Sequence, residues 1–317
     1  MTVVYRGSGQ PGVLVDRNPG AATRVPPPGD EGWRTRLVGL VFLAGWELAR
    51  RLPSRLVFAC GDVCARAACH WAKGLKARVR GNLARVVPAD RLDVAVRGAF
   101  RSYARYWIEA FRCTDLRADD LDRRTTTAGF EHLDGALAQG KGAIVLLAHH
   151  GSWDVAARWA EDHGYHMAAV AEVLRPRRLF ERFVRLREAV GLEVVPLVQG
   201  RSVSMRLRQV LAANHLVGLL ADRDLGGSGI VVRLFGEDAS LPRGPVVLSQ
   251  RTGAPIVPIT MLQRPGGRWH LQVLPPVDVQ GHAIGDGVQL VAEAIERLVR
   301  LAPEQWHAFS PVFEDDK

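Results

Sequence analysis

The sequence predicts an α/β fold, a largely parallel central sheet flanked by helices with a helical N-terminal portion packed on it. From about Gly129 onward, short runs rich in β-branched residues alternate with helical stretches, as in successive strand–helix–strand units. The runs are close to continuously apolar, which is what strands covered on both faces require. Before that point, from about Trp33 to Thr114, apolar residues recur at three- and four-residue spacings, the helical period.

Residues 1–32 are polar and end in the proline-rich "RVPPPGDEGW", so they read as a flexible tail and not as a cleavable signal peptide. Residues 37–52 read as a helix, with apolar side chains early, "ELARRL" late and Pro53 as its stop. Its uncharged run "LVGLVFLAGW" (37–46) falls well short of the ~20 residues needed to span a bilayer. The helical period is clearest in "DVAVRGAFRSYARYWIEAF" (93–111). Strands are expected at 142–149, 166–173, 193–197, 215–222, 230–236, 255–262 and 269–277. Helices are expected between the first four of these, at "WDVAARWAEDH", "RLFERFVRLREAV" and "SVSMRLRQVLAAN". We read residues 33–317 as one α/β domain, with 33–114 mainly helical and 129–317 the α/β core.

Of 317 residues, 47% are hydrophobic and 24% charged, which is ordinary; 42 Lys and Arg against 33 acids, a net charge of +9, is less so. Such an excess favours anionic partners such as a membrane surface, nucleic acid or phosphorylated small molecules. A nucleic-acid module is not indicated, because no motif and no interleaved aromatics accompany the charge. Cys60, Cys64, Cys69 and Cys113 match no common zinc or iron–sulfur spacing and give no disulfide framework. They read as small residues buried on a helix face, in a reducing compartment. Two stretches, "AKGLKARVRGNLAR" (72–85) and "RPRRLFERFVRLR" (175–187), concentrate positive charge. On a helix the second places Arg178, Arg182 and Arg185 on one face and Leu179, Phe180, Phe183 and Val184 on another. It suits an anionic lipid surface or phosphates, or equally a solvated helix with an apolar core face. "DLGGSGI" (224–230) fits neither phosphate-loop pattern and reads as a loop, and Arg243 of "LPRGP" stands where a phosphate can reach it.

In open parallel sheets, sites form outside the carboxyl ends of the strands. His149 ends the first core strand, Glu172 lies near the end of the second and Asp222 ends the fourth. The richest stretch is "LLAHHGSWD" (146–154), where Gly151 allows a turn and Asp154 falls in the first turn of the next helix. A carboxylate there is favoured by the helix dipole and can reach back to an imidazole, fixing its tautomer for general-base work. A metal site from His149, His150 and Asp154, or plain polar loop residues, are the other readings. Ser152 lies in no G-x-S-x-G elbow, so a nucleophilic serine is not indicated.

"AHHGSWD" resembles the H-x4-D/E motif of the bacterial late acyltransferases, the family that includes lipid A and phosphatidylinositol mannoside acyltransferases. "RVRGNLARV" (78–86), residues 171–197, residues 219–259 and "APEQWHAFSPVF" (302–313) are similar to further blocks in the same order, across roughly residues 35–315. The stretch from "ADRDL" through "RTGAP", with "PEQWHAF", is most like the mannoside branch.

The resemblance implies His149 as base, Asp154 as its partner and Asp222 as a further catalytic acid. It implies Glu172, Arg187, Arg185, Trp153 and Arg223 as substrate-binding residues, and no role for His150. The implied reaction carries a fatty acyl group from acyl-CoA to a sugar hydroxyl of a phosphatidylinositol mannoside, without a metal, cofactor or covalent intermediate. Backbone N–H groups of "GSW" are expected to hold the oxyanion. The implied place is the cytoplasmic face of the cell membrane, held peripherally on its anionic surface with help from the N-terminal helices. Lipid A acylation from acyl-carrier protein, and a catalytically silent lipid-binding protein, are the alternatives.

Overall fold

The computed structural model describes residues 33–173, 177–197, 201–224 and 227–316. The tail expected over 1–32 therefore lies outside the described residues. Four helices come first: α1 (Trp33–Arg51), α2 (Ser54–Trp71), α3 (Lys73–Ala84) and α4 (Ala89–Arg112). Pro53 separates α1 from α2, as its missing N–H and fixed φ dictate. In α4, Leu92, Val96, Ala99 and Phe100 turn inward at helical spacing. Among the described residues no helix is long and apolar enough to cross a membrane.

The core then runs α5 (Ala118–Arg124), β1 (Thr125–Ala128), α6 (Glu131–Leu137), β2 (Ala143–Leu147), α7 (Trp153–Asp162) and β3 (Met167–Ala171). It continues through α8 (Arg177–Ala189), β4 (Glu193–Pro196), α9 (Arg201–Ala212), β5 (Leu216–Leu220), β6 (Ile230–Leu234) and β7 (Glu237–Leu241). The chain closes with α10 (Gly244–Thr252), β8 (Ile256–Arg264), β9 (Arg268–Val273) and α11 (Ile284–Arg300). A seven-stranded sheet has the order β1-β9-β8-β2-β5-β3-β4. All its pairings are parallel except the β8–β9 hairpin. The fold is thus the predicted α/β class with a mostly parallel sheet.

Central position explains the apolar runs. β2 lies between β8 and β5, and Ala143, Ile144, Val145 and Leu146 are all buried. On α11, Val288, Val291, Ala292, Ile295 and Val299 are fully covered at the spacing of one helix face, with Asp286 at its start and Arg297 and Arg300 at its end.

Three features differ from the sequence expectation. The edge strand β1, "TTTA", carries no apolar run, because its two central residues are exposed. β6 leaves the main sheet and pairs with β7 in a separate hairpin. Its tight turn places both Phe235 and Gly236 at positive φ, as two-residue hairpin loops demand. Of the cysteines on α2, Cys69 is buried but Cys60 and Cys64 are exposed, so that helix presents them outward.

Candidate active site

The parallel register of β2 and β5 sets Leu147 opposite Leu220. His149 and Asp222 each lie two residues beyond these strand ends and so leave the sheet side by side. The His149 Nδ1 and an Asp222 carboxylate oxygen are 2.7 Å apart. The other Asp222 oxygen accepts the Trp306 indole N–H at 3.0 Å. Asp222 is buried, and burial alone would raise its carboxyl. The attraction and hydrogen bond of His149, with help from Trp306 and Arg223, outweigh this and hold it below the usual carboxylate range.

An ionised carboxylate only accepts, so Nδ1 must carry the hydrogen and donate it. Nε2 is then the unprotonated nitrogen, and it accepts from an Arg223 guanidinium N–H at 3.3 Å. Arg223 is anchored by a second donation, to the Ser310 hydroxyl at 2.9 Å. This is the tautomer that a general base needs, set by a buried acid and presented to a cavity.

Asp154 does not fill the place the H-x4-D spacing suggested. At the start of α7 its carboxylate accepts the Tyr106 hydroxyl of α4 at 2.8 Å and the Arg187 Nε of α8 at 2.8 Å. Burial and then the Asp154 charge push the Tyr106 phenol up, so it remains a donor. No hydrogen bond joins Asp154 to His149 among the described residues. The carboxylate faces the N-terminal helices, where it ties α4, α7 and α8 together.

His150 points away from His149 into a third network. Its Nε2 donates to the Ala302 carbonyl at 2.9 Å and its Nδ1 meets the Thr260 hydroxyl at 2.9 Å. A ligand set of His149, His150 and Asp154 is therefore not assembled. Burial, against the opposing Ala302 hydrogen bond, brings the His150 pKa down to about 4. His307, buried beside it, is lowered for the same leading reason. The unfolded chain binds protons at these histidines near pH 6.5, while the folded chain does so only at lower pH. Stability is thus complete above pH 6.5 and lost as pH falls toward 4, by about 3 kcal/mol from His150 alone. Thermal unfolding followed against pH should show a constant Tm above pH 6.5 and a steady fall below it; a flat curve across that window contradicts the assignment.

The turn between His149 and α7 is built by Gly151 at φ 67°, where a Cβ would collide with the Met261 carbonyl oxygen. The Gly151 N–H donates to Gln305 O at 3.0 Å and the Ser152 N–H to Met261 O at 2.8 Å. These two of the three "GSW" donors are engaged inside the protein, which takes them out of the expected oxyanion hole. The Ser152 hydroxyl is also turned inward, donating to Glu109 and accepting from Gln263.

A cavity of about 800 Å³ opens over the dyad. Its lining includes His149, Trp153, Glu172, Arg187 and Arg223, so five of the sequence-proposed residues meet there. Trp153 stacks on Tyr106 at 4.0 Å and stands edge-on to His149 at 5.5 Å. Leu197, Leu207, Leu219 and Leu248 give the cavity an apolar wall, and exposed Arg208, Arg243 and Arg251 line its α9–α10 side. Arg185 is exposed and absent from the lining, because the two-residue step from Arg187 turns it to the outer face of α8. Arg182 instead pairs with Glu47 of α1, and Leu179, Phe180 and Phe183 are core. The lipid-facing reading of that helix therefore reduces, for these side chains, to packing. Residues 175–176 and 225–226 of the two basic and glycine-rich stretches lie outside the described residues.

Sequence reasoning missed Tyr106, Trp306 and Ser310. "APEQWHAFSPVF" had stood out as a block without an assigned task, and it supplies two of them.

A family model described as bacterial lipid A biosynthesis acyltransferase matches residues 34–314. A phosphatidylinositol mannoside acyltransferase of Mycolicibacterium smegmatis is 35% identical over 280 residues, 87% of this chain and 91% of the relative. A protein of the same name from Mycobacterium tuberculosis is 36% identical over 279 residues, 85% of this chain and 86% of the relative.

Proposed function

The chain belongs to the bacterial lipid A biosynthesis acyltransferase family, and from that premise we propose that it moves a fatty acyl group from acyl-CoA to a sugar hydroxyl of a phosphatidylinositol mannoside. The observation that carries the mechanism is the contact of His149 Nδ1 with buried Asp222, which puts the hydrogen on Nδ1 and leaves Nε2 unprotonated at the cavity. The acceptor hydroxyl displaces the long Arg223 contact and gives its proton to Nε2 as its oxygen attacks the thioester carbonyl. Asp222 stabilises the imidazolium that forms. The C–S bond then breaks and the imidazolium returns the proton to the leaving sulfur. General-base assistance of this kind is worth about a hundred- to ten-thousandfold. With Ser152 turned inward, the transfer is direct, without an acyl-enzyme.

The donor assignment rests on charge. Arg208, Arg243 and Arg251 have no carboxylate partner among the described residues, and they line the same cavity as an apolar wall. That pairing suits the phosphates and the acyl chain of one acyl-CoA molecule. Arg187 and Glu172, on the other side, suit a polyhydroxylated, phosphorylated acceptor.

The first two helices support the further proposal of peripheral attachment to the cytoplasmic face of an anionic membrane. Leu37, Leu40, Val41 and Leu48 of α1 and Leu56, Val63 and Trp71 of α2 are exposed, on a chain of net charge +9. Apolar side chains left in water beside positive charge fit an interfacial surface.

Purified protein offered acyl-CoA with phosphatidylinositol mannosides, and a fatty-acylated carrier protein with a lipid A precursor, tests the reading. Acylated mannoside formed from acyl-CoA is the expected product. Acylation of the lipid A precursor alone, or glycolipid binding without turnover, would sink it.

A further inference from the structure

We propose that Arg223 is a catalytic residue, the donor that stabilises the oxyanion formed when the acceptor oxygen adds to the thioester carbonyl. The inference rests on the reading of His149 as general base and assigns a partner for the charge that base creates.

Addition to a thioester places a negative charge on the carbonyl oxygen, and a donor aimed at that position lowers the barrier. Two of the three backbone donors that the sequence offered are engaged, since Gly151 N–H meets Gln305 O and Ser152 N–H meets Met261 O. Two side-chain donors that line the same cavity are also committed. Tyr106 donates to Asp154, and Arg187 holds the same carboxylate through Nε at 2.8 Å and a second nitrogen at 3.5 Å. Arg223 is different. No carboxylate pairs with it among the described residues, its Nε is buried without a hydrogen-bond partner, and one N–H reaches the His149 Nε2 at 3.3 Å.

The position fits the chemistry. The attacking oxygen must lie within a hydrogen bond of Nε2, about 2.6–3.2 Å. The carbonyl oxygen is one carbon further on, so a guanidinium already touching Nε2 needs only a small swing to meet it. Ser310 anchors one nitrogen at 2.9 Å and leaves the other edge of the fork free for that swing. β5 places Asp222 and Arg223 on adjacent residues, so one strand end sets both the acid behind the base and the cation in front of it. In the balanced step, the hydroxyl proton goes to Nε2, the new C–O bond forms and the carbonyl electrons move onto the oxygen facing Arg223. They return as the C–S bond breaks.

The test is steady-state kinetics of full-length Arg223→Ala and Arg223→Lys with acyl-CoA and phosphatidylinositol mannoside, with His149→Ala beside them. Arg223→Ala should lower kcat by about 100- to 1,000-fold while both KM values stay within about threefold. Millimolar guanidinium ion should restore at least about tenfold of that loss, because it refills the vacated donor site. Arg223→Lys should keep an intermediate rate, since the charge remains without the planar fork. A raised KM at unchanged kcat would make Arg223 a binding residue only. A kcat equal to wild type would place the oxyanion elsewhere, at the first turn of α7, and a lost kcat that guanidinium does not rescue would mark a structural role. Each of these overturns the proposal. If His149→Ala is inactive while Arg223→Ala is normal, this inference alone fails; if both retain activity, the general-base reading fails with it.

Discussion

Asp222→Asn is expected to lower kcat by about ten-thousandfold while leaving the fold in place, the largest loss that a single-atom change at this site can produce. The asparagine is nearly isosteric and its carbonyl can still accept the Trp306 N–H. What changes is the atom facing Nδ1, which becomes an NH2 donor. Two donors cannot share that 2.7 Å contact, so the imidazole must place its hydrogen on Nε2 instead. The base is then protonated on the nitrogen that should accept. In the hydrolase triad where this change is the standard illustration, the cost is about 10⁴ in kcat with geometry preserved. Steady-state kinetics and a thermal melt on the same preparation check both halves; a kcat within tenfold of wild type would detach Asp222 from the base.

The second large effect is on stability. Asp154→Asn should destabilise the protein by about 3–5 kcal/mol, because it leaves the Arg187 guanidinium without its charge partner in a mostly buried site. Asp154 also accepts the Tyr106 hydroxyl, so three helices lose a shared anchor. For a chain of this length the shift should appear as a fall in Tm on the order of 5 °C or more. Below that transition the folded molecules retain the His149–Asp222 pair and should turn over at a rate close to wild type. An unchanged Tm would show that the Asp154–Arg187 pair carries no weight in the fold.

The contrast between these two aspartates shows where sequence stops being informative. β2, β3 and β5 are legible because burial on both faces makes "AIVLL", "MAAVA" and "LVGLL" apolar throughout. Ending such strands at His149, Glu172 and Asp222 correctly gathers these residues at one edge. Which of them touch depends on strand order, and β5 lies next to β2 although β3 and β4 intervene in the chain. Spacing therefore favours the aspartate nearest in sequence, Asp154, when the sheet brings the distant one into contact. Tyr106 is hidden for a related reason. It lies on a helix whose apolar spacing accounts for its burial, and nothing local reveals that its hydroxyl reaches a residue 48 positions later. The exposed edge strand β1 leaves no apolar trace at all. "PEQWHAF" was visible as a block, yet its task of closing Asp222 from behind needed the fold.

The claim at the centre of this account is that Asp222 orients the base and Asp154 holds the helices around it. The direct test is kcat of Asp222→Asn and Asp154→Asn for acyl-CoA and phosphatidylinositol mannoside, measured at a temperature well below both unfolding transitions. The account predicts that Asp222→Asn falls about ten-thousandfold and that Asp154→Asn stays near wild type per folded molecule. A folded Asp154→Asn without activity, beside an active Asp222→Asn, would contradict it.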